Sequence, residues 1–249
     1  MPSIKNKTEK PLLERFYDNE NNNKYELCID EAGRGCLFGR VYIACVVLPK
    51  NEEDFSGVDI KDSKKFSSKT KLNEKADYIK KHAIAWHITY IESDVIDNIN
   101  ILKSVMNGMH TCIQETMLKH QINIQNKTKM GDYMAVIDGN YFTPYTRFDT
   151  EKEMICQLEH ATVEKGDGKY MGIAAASILA KSARDNYVLE LCEKYPDLVT
   201  MYGLDTNMGY GTKKHRDGID EFGITNYHRR SFGCCKQSKI ETCIENISR

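Results

Sequence analysis

The chain has 249 residues, of which 41% are hydrophobic and 29% charged, a composition typical of a globular protein with a substantial core. Its 35 basic and 36 acidic residues leave a net charge of −1, which argues against a strongly basic nucleic-acid-binding protein. No apolar run reaches the ~20 residues that a membrane helix needs, and the first ten residues lack the apolar stretch of a secretory signal. We therefore expect an intracellular, cytoplasmic protein that does not bind membranes.

The nine cysteines agree with a reducing compartment. Their number is odd, and they show neither a C-x-x-C pair nor a Cys/His spacing typical of zinc sites. Cys28 and Cys45 lie in apolar, strand-like runs, where a reduced thiol behaves as a small hydrophobic side chain. For the adjacent Cys234 and Cys235 we favour reduced thiols, with a redox or zinc role as the alternative.

Positive charge is concentrated in two segments. Residues 61–75 carry six lysines and two acidic residues, and residues 213–230 carry five basic residues and two histidines. Such patches can hold a phosphate backbone. From charge alone, however, a solvated surface is the favoured interpretation.

Four strands are predicted from the apolar pattern. Residues 25–30 alternate in character, as in a strand with one buried face. Residues 41–48 form a continuous apolar run, which is typical of a strand buried on both faces. Residues 83–91 and 133–138 are the third and fourth strands.

Two helices and a division of the chain follow from the remaining pattern. Apolar residues at steps of three and four predict a helix over residues 99–117 and a second over 176–191, which Pro196 ends. Strands mixed with helices indicate an α/β fold. We divide the chain into a flexible polar tail (1–24), a main domain (25–205) and a C-terminal extension (206–249).

The acidic pair Asp30 and Glu31 follows the first predicted strand. Neighbouring side chains on a strand point to opposite faces, so these two converge only if the strand ends there, an ending that Gly33 and Gly35 allow. Two acids followed by the glycine-flanked Arg34 suit a cation beside a phosphate. For this hexapeptide alone, an ordinary charged turn is an equal alternative.

Two further acidic residues favour the metal interpretation. Asp138 ends the fourth predicted strand, and Asp167 precedes the second predicted helix. Four carboxylates gathered together would repel one another unless cations intervened, and magnesium prefers carboxylate, phosphate and water oxygens. Two such ions about 4 Å apart can activate a water molecule and stabilise a leaving oxygen.

Six motifs, taken in order, resemble those of the ribonuclease HII family. They are IDEAGRG (29–35), KDSKK (61–65), VIDGN (136–140), EKGDGK (164–169), IAAASILAK (173–181) with Arg184 and Asp185, and GYGTKKH (209–215). Each motif is weak alone, but six in order are highly specific, and they span nearly the whole chain.

The resemblance implies an α/β fold with a ribonuclease H-like mixed sheet flanked by helices and a C-terminal helical extension. It implies an endonuclease that cleaves the RNA strand of RNA–DNA hybrids, and duplex DNA 5′ of embedded ribonucleotides, leaving 3′-hydroxyl and 5′-phosphate ends. It also implies two Mg²⁺ or Mn²⁺ ions during catalysis, held by four catalytic carboxylates: Asp30, Glu31, Asp138 and Asp167.

The same resemblance implies the substrate-binding residues. The turn Gly33-Arg34-Gly35 would read the 2′-hydroxyl, which distinguishes RNA from DNA, and Tyr210 would pack on the adjacent deoxyribose. Lys64 and Lys181 match positions near the phosphates. His215 would touch a phosphate, with a surface role as an equal alternative.

Several alternatives remain open at this point. Asp185 competes with Asp167 for the fourth carboxylate, but a helical i, i+4 pair with Lys181 favours a structural role for it. A ribonuclease of the HIII type, which needs longer RNA stretches, carries Lys where Arg34 stands, so HII is favoured. A non-catalytic hybrid-binding protein is the third interpretation.

Three further expectations concern the surroundings of this site. The segment between Asp138 and Asp167 is longer than in typical bacterial members, which predicts an insertion over residues 141–162. Residues 237–244 lack the aromatic pair of a sliding-clamp motif, so we do not predict clamp binding. We expect a monomer.

Overall fold

The computed structural model describes residues 13–18, 24–51, 53–58, 60, 63, 66, 68–125, 127–150 and 152–238, with the backbone of 241–242. The strands are β1 (Tyr25–Ala32), β2 (Val41–Val47), β3 (Ala85–Ile91), β4 (Tyr133–Asp138), β5 (Thr146–Asp149), β6 (Met154–Gln157), β7 (Glu159–Val163), β8 (Ile224–Thr225) and β9 (Glu241–Thr242). The helices are α1 (Lys69–His82), α2 (Ser93–Ile99), α3 (Ile101–Asn123), α4 (Met171–Lys194), α5 (Asp197–Tyr202), α6 (Leu204–Asn207) and α7 (Lys213–Phe222).

A five-stranded mixed sheet, in the order β3-β2-β1-β4-β7, forms the centre of the molecule. The central strand β1 is antiparallel to β2 and parallel to β4. In that parallel pair Ile29 lies opposite Ile137, and the next residues along the two strands are Asp30 and Asp138. Because the carboxyl ends of parallel strands meet at one edge of a sheet, the fold brings these two acids together.

Helices cover both faces of the sheet. Ile43 and Cys45 of β2 belong to the core cluster that includes α3, whereas Ala44 and Val46 belong to the cluster that includes α4. This two-sided burial explains the continuous apolar run predicted as a buried strand. A Cβ at Gly172 of α4 would lie 2.3 Å from the Sγ of Cys28, so a glycine there allows the helix to approach the sheet closely.

The four predicted strands all form, and the two predicted helices form with shifted ends. Ile99 belongs to α2 rather than α3, because Asn100 breaks the helix with φ of 69° and its side chain accepts a hydrogen bond from the backbone N–H of Lys103. The helix α4 ends at Lys194, before Pro196, as predicted. Within residues 141–162, the hairpin of β5 and β6 precedes the start of β7.

Residues 13–18, assigned from the sequence to the flexible tail, are docked against the domain. The guanidinium of Arg15 donates hydrogen bonds to the carbonyls of Pro49 and Phe55, at 2.7 and 3.0 Å. The carboxylate of Glu26 accepts from the backbone N–H groups of Tyr17 and Asp18. The prediction of a flexible tail is therefore wrong for this segment, and for 1–12 and 19–23 it lies outside the described residues.

The C-terminal segment packs on the same core as the sheet. Ile219, Ile224 and Cys235 are buried in the cluster that contains Phe38. The division between residues 205 and 206 stays a prediction, and it falls within α6. The eight described cysteines form no disulfide. No helix in the described part of the chain is long and apolar enough to cross a bilayer.

Candidate active site

Asp30, Glu31 and Asp138 form an acidic cluster at one edge of the sheet. Asp30 is only 5% exposed, and its pKa is raised well above the ordinary value, first by burial and then by the charges of Glu31 and Asp138. Burial also raises the pKa of Glu31, with Asp138 adding to the rise and Arg34 opposing it. The three carboxylates are thus close enough to disfavour one another's ionised forms.

The strand that carries this acidic cluster does not end where the sequence predicted. The β1–β2 pairing continues through Glu31 and Ala32, and the chain leaves the strand at Gly33, whose φ is 88°. The backbone N–H of Glu31 donates a 2.7 Å hydrogen bond to Asp30 Oδ1. Convergence of the two acids therefore does not require the strand to end between them.

A backbone hydrogen bond ties the Asp167 segment to Asp138. The N–H of Gly166 donates to Asp138 Oδ1 at 2.6 Å. A Cβ at Gly166 would lie 2.4 Å from Ile173 Cδ1, so a larger residue would require the Ile173 side chain or the segment to shift. Asp167, 7% exposed, follows directly within a 3-10 turn, which places the fourth predicted carboxylate next to the segment that contacts Asp138.

Ser177 is a site residue that sequence reasoning missed. Its side chain on α4 makes a hydrogen bond with Asp30 that lowers the carboxyl pKa, against the effect of burial. Its hydroxyl also lies 3.0 Å from that of Ser63, in the lysine-rich segment 61–75. In the sequence Ser177 lies within the IAAASILAK motif (173–181), but that motif does not by itself indicate a contact with Asp30.

Lys181 and Asp185 form the predicted i, i+4 ion pair on α4. The Nζ of Lys181 donates to Asp185 Oδ2 at 2.8 Å, and Arg184 Nη1 lies 3.8 Å from the other oxygen. Asp185 is therefore charge-paired on its own helix. The choice of Asp167 as the fourth metal ligand agrees with this pairing and stays a prediction.

The turn that follows β1 is open to solvent. The Arg34 side chain is 49% exposed, and its Nη1 donates to Glu31 Oε1 at 3.2 Å. No atom lies within 4 Å of a Cβ built at Gly35. A ligand can thus approach the backbone of this turn, next to the acidic cluster.

Tyr210 lies beside the same turn. Tyr210 is 47% exposed, and the Arg184 guanidinium lies 5.5 Å from its ring centroid. The N–H of Leu37 donates to the carbonyl of Gly209 at 2.9 Å, and the Tyr210 side chain makes a hydrogen bond with that of Cys36. The structure thus joins the two elements that the sequence resemblance assigns to sugar recognition.

Two of the predicted substrate-binding residues, His215 and Lys64, are not confirmed by the structure. His215 is fully buried, with Nδ1 3.0 Å from the carbonyl oxygen of Tyr210 and Nε2 3.0 Å from Nε2 of His228. The prediction that His215 touches a phosphate is therefore wrong, because its ring has no accessible surface. Lys64 lies outside the described residues.

The donor set fits a hard divalent cation. Carboxylate oxygens are the ligands that Mg²⁺ and Mn²⁺ prefer, and a cation would offset the burial and the carboxylate repulsion that together raise the pKa of Asp30. Among the described residues, no three His, Cys, Asp or Glu side chains are arranged as a complete metal-binding group. The fit therefore rests on the kind of ligand atoms that the acidic cluster offers, which are carboxylate oxygens, and not on their arrangement.

Comparison with solved structures defines the class of protein. The mixed sheet between two helical layers has the ribonuclease H-like fold. It matches ribonuclease H2 from Pyrococcus horikoshii OT3, with a TM-score of 0.64 and 19% identity over 90% of this chain and 98% of that chain. It also matches ribonuclease HII in the PCNA complex from Archaeoglobus fulgidus, with a TM-score of 0.54 and 22% identity over 84% and 95%.

Sequence comparison defines the family. The Ribonuclease HII family model matches residues 27–235. Ribonuclease HII of Parabacteroides distasonis is 43% identical over 84% of this chain and 90% of the relative. That of Bacteroides thetaiotaomicron is 41% identical over 85% and 91%. The chain belongs to the ribonuclease HII family and is a ribonuclease H enzyme, which confirms the predicted family and fold class.

Proposed function

We propose that this enzyme is a divalent-metal-dependent endonuclease that cuts the RNA strand of RNA–DNA hybrids and the 5′ side of ribonucleotides embedded in duplex DNA. The observation that carries the proposal is the contact between Arg34 of the open turn and Glu31 of the acidic cluster, at 3.2 Å. The contact supports the proposal because the open turn lies directly beside carboxylates that would bind a cation.

The acidic cluster and Asp167 would hold Mg²⁺ or Mn²⁺. Two bound ions supply water activation and charge neutralisation at a scissile phosphate. Asp30 and Asp138 lie on the neighbouring strands β1 and β4, whose parallel pairing supports a fixed separation between them. The hydrogen bond from Ser177 orients Asp30, and the one from Gly166 orients Asp138, so the chain itself sets where these oxygens point.

The reaction we propose is hydrolysis of one phosphodiester bond. A water oxygen forms a bond to phosphorus, and the bond from phosphorus to the 3′ oxygen of the preceding nucleotide breaks. The departing 3′ oxygen takes up a proton. The products are a 3′-hydroxyl and a 5′-phosphate on the ribonucleotide.

Selection of ribose over deoxyribose is assigned to the turn and to Tyr210. Gly35 leaves room for a sugar to approach the backbone groups of the turn, and a 2′-hydroxyl both donates and accepts hydrogen bonds. The exposed ring of Tyr210 would pack on the neighbouring deoxyribose, where a 2′-hydroxyl would be crowded. Arg34 and Lys181 contribute positive charge for the phosphates.

The experiment compares duplexes that carry one or four ribonucleotides, in Mg²⁺ and in Mn²⁺. We expect the wild-type protein to cut both, and Asp138→Asn to lose cleavage while it still binds. Asp77→Asn, at an exposed position on α1, is the matched control and should cleave normally. Full activity of Asp138→Asn would refute the assignment of the site.

The same assay separates the alternatives. A wild-type protein that cuts only the four-ribonucleotide duplex would behave as the HIII type, and one that retards the duplex without metal-dependent cleavage would be a hybrid-binding protein. Relatives at 41–43% identity carry the HII name, which favours cleavage of both duplexes. We also propose that the enzyme acts as a monomer, since one chain supplies the acidic cluster, and that it is cytoplasmic. We propose no clamp-binding motif in residues 237–244, part of which lies outside the described residues.

A further inference from the structure

A three-residue strip, Tyr227-His228-Arg229, lies alongside the segment that follows the turn Gly33-Arg34-Gly35. The N–H of Gly39 donates to the carbonyl of Tyr227 at 2.8 Å, and the N–H of Arg229 donates to the carbonyl of Leu37 at 2.8 Å. An antiparallel bridge between Phe38 and His228 lies between these bonds. The strip therefore forms a short β-ladder with the segment that leads out of the turn.

Arg229 reaches from this strip into the turn itself. Its side chain is fully buried, with Nε donating to the carbonyl of Gly39 at 2.9 Å and Nη1 to the carbonyl of Arg34 at 3.0 Å. A buried guanidinium is costly unless its hydrogen bonds are made. Two of them go to the backbone carbonyls of Arg34, within the turn, and Gly39, in the segment that follows it, so Arg229 fixes the path of the chain out of the turn.

His228 reaches in the other direction, toward Tyr210. The backbone N–H of Thr225 donates to His228 Nδ1 at 3.0 Å, so this nitrogen is an acceptor and the ring proton of neutral His228 lies on Nε2. The carbonyl of Tyr210 can only accept, so His215 carries its proton on Nδ1. The 3.0 Å contact between the two Nε2 atoms is then a hydrogen bond from His228 to His215.

These bonds form one directional chain. It runs from the N–H of Thr225 through His228 and His215 to the carbonyl of Tyr210, and every donor faces an acceptor. Burial lowers the pKa of both histidines, which agrees with two neutral rings. The strip thus contacts both elements: the Arg229 side chain binds the turn, and the His228 side chain binds the Tyr210 loop through His215.

We infer that Arg229 and His228 are positioning residues that fix the spacing between the sugar-sensing turn and Tyr210, and with it the selectivity for a ribose followed by a deoxyribose. This inference rests on the proposed function, because it gives those two elements their substrate roles. Neither residue needs to touch the substrate. A continuous RNA strand has no deoxyribose for Tyr210, so its cleavage depends less on this spacing.

The test measures kcat and KM on two duplexes, one with a single ribonucleotide and one with a continuous RNA strand, and compares the ratio of kcat/KM values. For Arg229→Lys, which keeps the charge but cannot bridge two carbonyls, we expect the single-ribonucleotide preference to fall at least fivefold. Asn226→Ala, at an exposed neighbouring position, should leave it unchanged. An unchanged ratio in Arg229→Lys would overturn the role assigned to Arg229.

A second pair of variants tests His228 without a large change in volume. His228→Gln keeps an N–H donor near the Nε2 position, whereas His228→Asn does not reach it. We expect Gln to preserve the preference and Asn to reduce it at least fivefold, mainly through kcat, with thermal unfolding measured for both. Equal ratios in the two variants would overturn the role of His228, whatever their stabilities.

The two proposals fail differently. If the wild-type protein cuts neither duplex, the proposed function is wrong. If it cuts both and the variants lose activity on both to the same extent, the function stands and the positioning role is wrong, since a merely structural defect lowers both activities together.

Discussion

Gly33 and Arg184 pack so closely that no side chain fits at position 33. A Cβ there would lie 2.0 Å from Nε of Arg184 and 2.5 Å from its Cδ, and Gly33 has a φ of +88°. The same buried guanidinium donates from Nη2 to the carbonyl of Met208 at 2.6 Å. Arg184 therefore separates the turn from the Tyr210 loop by a fixed distance, and only glycine permits that contact.

Alanine should destabilise the protein at the first glycine of the turn, Gly33, and leave its stability nearly unchanged at the second, Gly35. Gly33→Ala introduces overpacking against Arg184, and overpacking costs about 1–3 kcal/mol. The positive φ adds strain. At roughly 2–4 °C per kcal/mol for a chain of this size, thermal unfolding should detect the loss readily.

Gly35→Ala is the matched control, because nothing lies within 4 Å of its Cβ. Its unfolding midpoint should stay close to that of the wild type. Equal midpoints for the two variants would show that the contact between Gly33 and Arg184 does not limit the turn.

Asp30→Asn should stabilise the metal-free protein while it abolishes cleavage. Because the folded-state pKa of Asp30 is raised, its ionised form is disfavoured by folding at neutral pH, and a neutral amide removes that penalty. In buffer with a chelator we expect the unfolding midpoint to rise by a few degrees, on the order of 1 kcal/mol.

Addition of Mg²⁺ should make the wild type more stable than Asp30→Asn. Binding to the folded state alone raises wild-type stability, whereas Asp30→Asn has lost a ligand and should respond weakly. Asp77→Asn, exposed on α1, should follow the wild type in both buffers. If Mg²⁺ raised the unfolding midpoint of Asp30→Asn as much as that of the wild type, Asp30 would not be a metal ligand.

Ser177→Ala should raise the Mg²⁺ concentration needed for half-maximal activity. Residues that orient metal ligands typically change metal affinity by about 10–100-fold when removed, and Ser177 makes a hydrogen bond to Asp30. A titration of cleavage rate against Mg²⁺ measures the effect. Ser182→Ala is the control on the same helix, since its hydroxyl donates to Asn73 instead, and its metal requirement should be normal.

The buried histidine pair should make the fold sensitive to acid. The pKa of His228 is well below 6.5, because of burial and then of His215, so unfolding takes up a proton once the pH falls below about 6.5, the unfolded-state pKa. Stability contributed by the neutral ring is therefore complete above that pH and declines below it, by up to about 1.4 kcal/mol per pH unit for each histidine.

The stability difference between wild type and His228→Gln, followed from pH 7 to pH 5, isolates this effect. As the pH falls from 7 to 5, the wild type should lose stability relative to His228→Gln. Buried carboxyls with a raised pKa, such as that of Asp30, act in the opposite direction, but both proteins contain them and they cancel in the difference. A difference that is constant with pH would rule out the neutral pair.

The sequence predicted those elements whose pattern is local. An apolar run with acids at its end suffices to place β1 and β4, and the register of the parallel pair then brings Asp30 beside Asp138. Other elements escaped prediction, among them β7, the fifth strand of the central sheet, which begins within the segment predicted as an insertion. The helix α1 buries only Leu72, Ala76 and Ile79, too few apolar residues for a clear period, and the hairpin of β5 and β6 is exposed on both strands.

The assignment of His215 shows where a motif misleads. It lies in a basic stretch that suggested a phosphate contact, yet the structure turns its ring inward to His228. Ser177 was missed for a different reason: it lies in a recognised motif, IAAASILAK, but only the fold shows that its side chain meets Asp30.

By itself, the sequence determined the family, the α/β class and the acidic residues that neighbouring strands bring together, because periodicity and short motifs record local geometry. Only the tertiary structure decided which polar residues are buried and which partners they meet. The bond from Arg229 to Gly39 spans 190 positions. No local pattern encodes such a contact, since it depends on how the C-terminal segment packs against the turn after folding.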